Sequence, residues 1–161
     1  MSNVSLTEDD LKAFQKIEPE LLNLKIPLVS DGMTQSLLMR GENSTLRVLC
    51  YAPSRGEDHG LHGHVEEEHY FIVLQGTAQF HALHGQLPLL KKNQGIFLPK
   101  GCFYEFYNPT DEPLVVLRIG ASAEKLDRGA RVTPDGAPIP GRSTRHKEAM
   151  APVFIENGFF E

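Results

Sequence analysis

The spacing of hydrophobic residues changes from a helical to a strand-like period at about residue 44. Before that point, Leu11, Phe14 and Ile17 recur at the spacing of one helix face, and Thr7 precedes three acidic residues as an N-cap. Pro19 then interrupts the pattern, because proline removes a helical hydrogen bond. We therefore predict an amphipathic N-terminal helical arm that serves as a lid or as an interface.

After residue 44, short apolar runs alternate with turns rich in Gly, Pro, Asn and Asp. This punctuation is typical of an antiparallel all-β sandwich or barrel. The chain from Ala121 onward is rich in Gly and Pro, and we expect it to wrap the barrel as an irregular extension. The predicted strand regions are Thr45–Tyr51, His69–Leu74, Thr77–Leu83, Leu87–Leu90, Ile96–Leu98 with Phe103–Tyr107, and Leu114–Ile119.

The length of 161 residues predicts one structural domain. We divide it into an arm with a lead-in strand over residues 1–43, a barrel over 44–120 and a C-terminal wrap over 121–161. A net charge of -5 disfavours nucleic acid and anionic membranes as partners. The two cysteines cannot form a disulfide framework, and the first residues lack the pattern of a signal peptide. We therefore expect a cytoplasmic protein.

Six of the 7 histidines lie between His59 and His84. In a strand, residues two apart point to the same face, so His62 and His64 can converge on one point. Imidazole nitrogens bind first-row metals, and a third ligand from a neighbouring strand would complete a site with open positions. We expect His59, His81 and His84 to lie outside the ligand set or at the surface.

Two segments, GEDHGLHGHVEEEHYFIVLQG and NQGIFLPKGCFYEFYN, resemble the two signature motifs of the cupin superfamily. The resemblance covers about Leu46–Ile119 and implies a double-stranded β-helix, which is a small jelly-roll barrel. It also implies a metal site built from the histidines of the first motif. The residues that match are Gly56, His62, His64 and Gly76 in the first motif, and Pro99, Gly101 and Asn108 in the second.

The third metal ligand is ambiguous in this register. Counting back from the last glycine of the first motif, His69 occupies the position of the family's glutamate ligand, whereas Glu68 fits the spacing from His64. We predict His62, His64 and His69 as metal ligands, with Glu68 as the alternative to His69. At least two of the glutamates 66–68 are expected to lie in a solvated turn.

Tyr104 stands where the second motif normally supplies its histidine. Three roles remain open for it: a phenolate ligand, a donor of a hydrogen bond or proton to substrate, or a packed aromatic residue. We predict the catalytic role, in which Tyr104 acts on substrate from just outside the metal ligands. A phenol has a pKa near 10 and binds a metal directly only after losing its proton.

Three neutral imidazoles would leave a divalent metal with its full charge, which favours a small anionic, chelating substrate such as a carboxylate or an enolate. Arg47 and Arg118 could hold a second anionic group if they pointed into the barrel. Because buried arginines are rare, we expect both on the outer face.

The resemblance implies a mononuclear non-haem iron dioxygenase acting on a small organic anion. A Zn, Ni or Mn cupin with isomerase, decarboxylase or lyase activity is the first alternative, and a non-catalytic ligand-binding cupin is the second. We also expect a homodimer, because the helical stripe and Phe159–Phe160 leave more apolar surface than a small monomer usually exposes.

Overall fold

The computed structural model describes residues 5–56, 60–123, 130–140, 147–148 and 150–161. Within these residues the chain forms a short N-terminal helix and thirteen strands. None of the described helices is long and apolar enough to cross a membrane. The elements are α1 (Glu8–Phe14), β1 (Ile26–Asp31), β2 (Met33–Arg40), β3 (Ser44–Tyr51), β4 (His62–His64), β5 (Glu68–Gln75), β6 (Thr77–Ala82), β7 (Gly85–Gln86), β8 (Leu90–Lys91), β9 (Gly95–Leu98), β10 (Phe103–Tyr107), β11 (Leu114–Ala121), β12 (Arg131–Val132) and β13 (Val153–Phe160).

Two antiparallel sheets form the barrel. The first has the strand order β2-β3-β11-β5-β9, and the second has the order β12-β4-β10-β6-β7 with β8 also paired to β6. Their inner faces meet in an aromatic core, where the ring of Phe71 lies 5.5 Å from that of Phe80 and 5.3 Å from that of Phe106. This architecture confirms the predicted all-β, double-stranded β-helix fold.

Strand β5 shows how alternation divides the inside of the barrel from its outside. His69, Phe71 and Val73 are at most 1% exposed, whereas Tyr70 and Ile72 are 38% and 37% exposed. Both sets are similarly apolar, so the sequence alone does not distinguish the two faces. The structure therefore assigns His69 to the interior.

The outer face of the first sheet is covered by a two-stranded sheet of β1 and β13. A second apolar cluster fills this interface, and Phe160 packs against it. One lead-in strand was predicted within residues 1–43, where the structure has both β1 and β2. The C-terminal segment was expected to be irregular, and β13 corrects that expectation. The predicted strand Leu87–Leu90 is not a continuous strand in the structure. Two short strands lie there instead: β7 ends just before Leu87, and β8 begins at Leu90.

The N-terminal helix is present but short. Thr7 caps it, accepting a hydrogen bond from the Asp10 backbone while the Asp10 carboxylate accepts one from the Thr7 backbone. The helix ends at Phe14, so Ile17 lies beyond it. Leu11, Phe14 and Ile17 are 47%, 54% and 72% exposed, and no residue of the helix is buried.

We propose that this arm covers a second copy of the chain, because a seven-residue helix that buries none of its residues is marginal in water. Light scattering of the purified protein is expected to give twice the chain mass of 18.0 kDa. A variant lacking residues 1–20 should give a single chain mass while its far-UV circular dichroism spectrum keeps the strand signal of the barrel. A full-length monomer at micromolar concentration would contradict the prediction.

Candidate metal centre

The histidines of the first motif meet between the two sheets, at the end of the barrel where β5 begins and β11 ends. His62 and His64 lie on β4 in one sheet, and His69 lies on β5 in the other. The ring centroids of His64 and His69 are 4.2 Å apart, and those of His62 and His64 are 5.3 Å apart. The structure therefore brings together the three histidines predicted as ligands.

A carboxylate joins two of these histidines. Nitrogen atoms of His64 and His69 and a carboxylate oxygen of Glu67 all lie within 4.8 Å of one another. Glu67 Oε2 is 2.9 Å from His69 Nε2 and 3.8 Å from His64 Nδ1. Two imidazoles and one carboxylate thus converge on a single point, which is a donor set typical of divalent metal sites.

The position of Glu67 was not predicted from the sequence. It belongs to the turn between β4 and β5, where strand alternation does not apply, and its side chain is only 16% exposed. It lies over Gly120, the residue of β11 that pairs with His69. A Cβ at Gly120 would overlap Glu67 Oε1, so the missing side chain leaves room for the carboxylate.

Glu68 lies apart from this group. It begins β5 next to His69 and so points to the opposite face of the sheet, where its Oε1 accepts a hydrogen bond from the Tyr70 hydroxyl at 3.1 Å. Together with Glu66 and Lys100 it lines a surface pocket of about 530 Å³. The structure therefore places His69 rather than Glu68 beside His64.

His62 is 1% exposed, and its Nδ1 lies 2.9 Å from the carbonyl oxygen of Gly60. This contact assigns the proton to Nδ1, the tautomer in which Nε2 carries a lone pair. A backbone carbonyl bonded to the remote nitrogen is the usual arrangement for a metal-binding histidine. His62 can therefore serve as a further ligand next to the group of Glu67, His64 and His69.

Electrostatics keep the donor groups in their metal-binding protonation states. Burial, helped by the neighbouring His69 and Arg118, holds the pKa of His64 far below its usual range. Burial also lowers the pKa of His69 to about 4, although Glu67 acts in the opposite direction. Burial alone would raise the pKa of Glu67, but the hydrogen bond from His69 and the charge of Arg118 bring it below its ordinary value. Two neutral imidazoles and a carboxylate at neutral pH fit a divalent cation.

Tyr104 lies behind His69 and is 2% exposed. Its hydroxyl is 3.1 Å from His69 Nδ1, and its ring centroid is 4.8 Å from that of His62. If His69 binds a metal through Nε2, its Nδ1 carries the proton and donates a hydrogen bond to the Tyr104 hydroxyl oxygen. This contact fixes the orientation of the His69 ring.

Arg118 points into the barrel, and the expectation that it lies on the outer face is wrong. Its side chain is 16% exposed, and its Nη2 contacts His69 Nε2 and lies 3.4 Å from Glu67 Oε2. Arg47 pairs with Arg118 across β3 and β11, so it shares that inner face. The partly buried carboxylate of Glu67 explains why Arg118 points inward, because it supplies the opposite charge.

Glu67 also changes the predicted charge of the site. With one carboxylate among the ligands, a divalent metal would keep a single positive charge rather than two. Of the other histidines, His81 has its ring 5.9 Å from that of Tyr107, and His84 is exposed. His59 and His146 lie outside the described residues.

A family model described as the cupin domain matches residues 48–120. The chain contains a cupin domain. No curated protein matches the sequence. Asn108, a motif position that is not a ligand, has a structural role: it is fully buried, and its Nδ2 donates to the carbonyl oxygens of Ala52 at 3.2 Å and Glu112 at 2.7 Å.

Solved structures with the cupin fold resemble this chain at low sequence identity. An uncharacterized conserved protein with a double-stranded β-helix domain from Klebsiella pneumoniae is 16% identical, with a TM-score of 0.52, over 78% of this chain and 95% of that one. A cupin superfamily protein from Desulfitobacterium hafniense is 12% identical, with a TM-score of 0.52, over 60% and 84%. A sugar phosphate isomerase of the cupin superfamily from Silicibacter pomeroyi is 19% identical, with a TM-score of 0.50, over 66% and 80%. These likenesses show the fold alone.

Proposed function

We propose that this cupin is a mononuclear metal enzyme acting on a small organic anion, with iron(II) as the metal and O2 as the oxidant. The observation that carries the proposal is the convergence of His64, Glu67 and His69 within 4.8 Å. Two histidines and one carboxylate with further open positions are the donor set of non-haem iron oxygenases. When bound, iron(II) would supply the redox chemistry by which O2 oxidises a chelated organic anion.

The residues around the metal ligands would orient the substrate and exclude water. Tyr104 holds the ring of His69 through Nδ1. The aromatic side chains of Phe71, Phe80 and Phe106 are at most 1% exposed and close the interior of the barrel behind the site. Such an apolar enclosure strengthens the attraction between the charged groups of the site and an anionic substrate.

The positive charge of the site supports an anionic substrate. Arg47 and Arg118 face the same interior as the candidate ligands, and Glu67 is the one carboxylate that contacts Arg118 among the described residues. A bound divalent metal would add two further positive charges. A neutral or cationic substrate would leave this charge uncompensated in a low-dielectric site.

The proposal is tested by purifying the protein without chelator, measuring its metal content, and screening small carboxylic acids for turnover under oxygen and under argon. We expect about one iron per chain and O2 uptake that depends on one of these acids. Glu67→Gln should lose both, whereas Glu68→Gln, the neighbouring glutamate on the opposite face, should keep both. Zinc, nickel or manganese with turnover under argon would replace the dioxygenase by an isomerase, decarboxylase or lyase. Ligand binding without metal or turnover would indicate a binding protein.

A further inference from the structure

Two arginines face each other on the inner side of the first sheet. Arg47 on β3 and Arg118 on β11 are directly paired in the strand register. Paired residues of neighbouring strands point to the same face, and like charges in this arrangement repel each other. Arg47 is half-buried, and burial together with the charge of Arg118 lowers its pKa. The pair therefore needs a negative partner.

Glu67 compensates only part of this charge. Its Oε2 lies 3.4 Å from Arg118 Nη2, while Arg118 Nε is buried without a hydrogen-bond partner among the described residues. A buried charged donor without an acceptor is destabilising, because the hydrogen bonds it made to water are not replaced. One carboxylate against two guanidinium groups leaves a single positive charge before any metal binds.

A bound metal ion would increase the uncompensated positive charge and would compete for the groups that Arg118 now contacts. The His69 Nε2 atom that Arg118 Nη2 contacts is the atom that His69 would use to bind a metal. A metal bound there would also engage the Glu67 carboxylate and so compete with its contact to Arg118. With a divalent metal, the site would hold three net positive charges, which one monocarboxylate cannot neutralise.

We propose that Arg47 and Arg118 form a subsite for a second carboxylate of the substrate, so that the substrate class is a small dicarboxylate. Resting on the proposed function, this inference places one carboxylate at the metal ligands and the other at the arginine pair. A guanidinium group presents its donors as a planar fork that matches the two oxygens of a carboxylate. The unpartnered Arg118 Nε supplies one donor of such a fork.

The test compares succinate with butyrate, two four-carbon acids that differ in their second carboxylate, by calorimetric titration of metal-loaded and metal-free protein. We expect succinate to bind the wild type at least tenfold more tightly than butyrate. The preference should fall to about one in Arg47→Gln and in Arg118→Gln, and both variants should still bind metal. Arg40→Gln is the matched control, because Arg40 is exposed at the end of β2 and carries the same charge.

The outcomes separate this inference from the proposed function. Stoichiometric metal with equal binding of both acids would overturn the subsite and leave the metal enzyme standing. A succinate preference that depends on both arginines in protein that binds no metal would support the subsite and contradict the metal enzyme. A preference retained in both arginine variants, or lost equally in Arg40→Gln, would overturn the subsite. Binding of 3-phosphonopropionate at least tenfold tighter than succinate would contradict the carboxylate assignment.

Discussion

Replacing His64, Glu67 or His69 with alanine is expected to abolish stoichiometric metal binding while leaving the fold intact. The three donor groups lie within 4.8 Å of one another, and the apolar core of the barrel is formed without them. We expect metal affinity to fall by more than about 100-fold, beyond the range of changes to residues that only support a ligand. Metal content after dialysis and the far-UV circular dichroism spectrum measure the two parts of the prediction. His62→Ala is expected to weaken binding as well, since His62 is oriented toward the same site.

Glu68→Ala is the matched control, because this carboxylate is the next residue along the chain but faces the opposite side of β5. It should retain metal. Gly120→Ala tests the same geometry from the opposing strand, since an added methyl group would displace the Glu67 carboxylate. Loss of metal in Glu68→Ala together with its retention in His69→Ala would show that the register of the site is shifted by one residue.

Replacing Tyr104 with phenylalanine is expected to lower turnover by about 10–100-fold, the range for a residue that orients a metal ligand. The Tyr104 hydroxyl is 3.1 Å from His69 Nδ1, so its removal frees the His69 ring to rotate. Metal should remain bound, because all four candidate ligands are intact. A fall of about 10³-fold or more would instead favour direct proton donation to substrate, the role that the sequence predicts.

The visible spectrum of the oxidised iron protein distinguishes orientation from ligation. A tyrosine phenolate bound to iron(III) produces a charge-transfer band, whereas a tyrosine hydrogen-bonded to His69 does not. We expect nearly colourless protein in both the wild type and Tyr104→Phe. A band that disappears with Tyr104 would make it a ligand, and unchanged turnover would reduce it to a packing residue.

The sequence was sufficient to predict the four longest matched strands of the barrel, because each of them carries its own local signal. Alternating apolar residues and Gly, Pro and Asn turns mark β3, β5, β6 and β11 within one or two residues of their observed ends. Strands β1 and β13 pair with each other and are more than a hundred residues apart in the chain, so no local turn indicates their pairing. Neither strand has a partner nearby that would reveal its register.

Only the residues of the candidate site that lie on strands could be predicted, because side chains alternate between the two faces of a strand. His62 and His64 share a strand face, so their spacing alone indicates that they converge. Glu67 lies in a turn, and its position depends on the absence of a side chain at Gly120 on a strand far along the chain. Arg118 was expected on the outer face of the barrel, because burying an unpaired arginine is unfavourable. The carboxylate of Glu67 pairs with Arg118 and offsets this free-energy cost, but its position was not predicted. The inward positions of Glu67 and Arg118 therefore depend on each other, and neither could be predicted without the other.

The position of the bound metal ion shows directly whether His64, Glu67 and His69 are its ligands. Crystals of protein loaded with iron(II) under argon should be measured on both sides of the iron absorption edge. We expect one anomalous peak per chain, at about 2.0–2.2 Å from nitrogen atoms of His64 and His69 and from a carboxylate oxygen of Glu67. A peak in the surface pocket beside Glu66 and Glu68, or no peak in fully loaded crystals, would contradict this expectation.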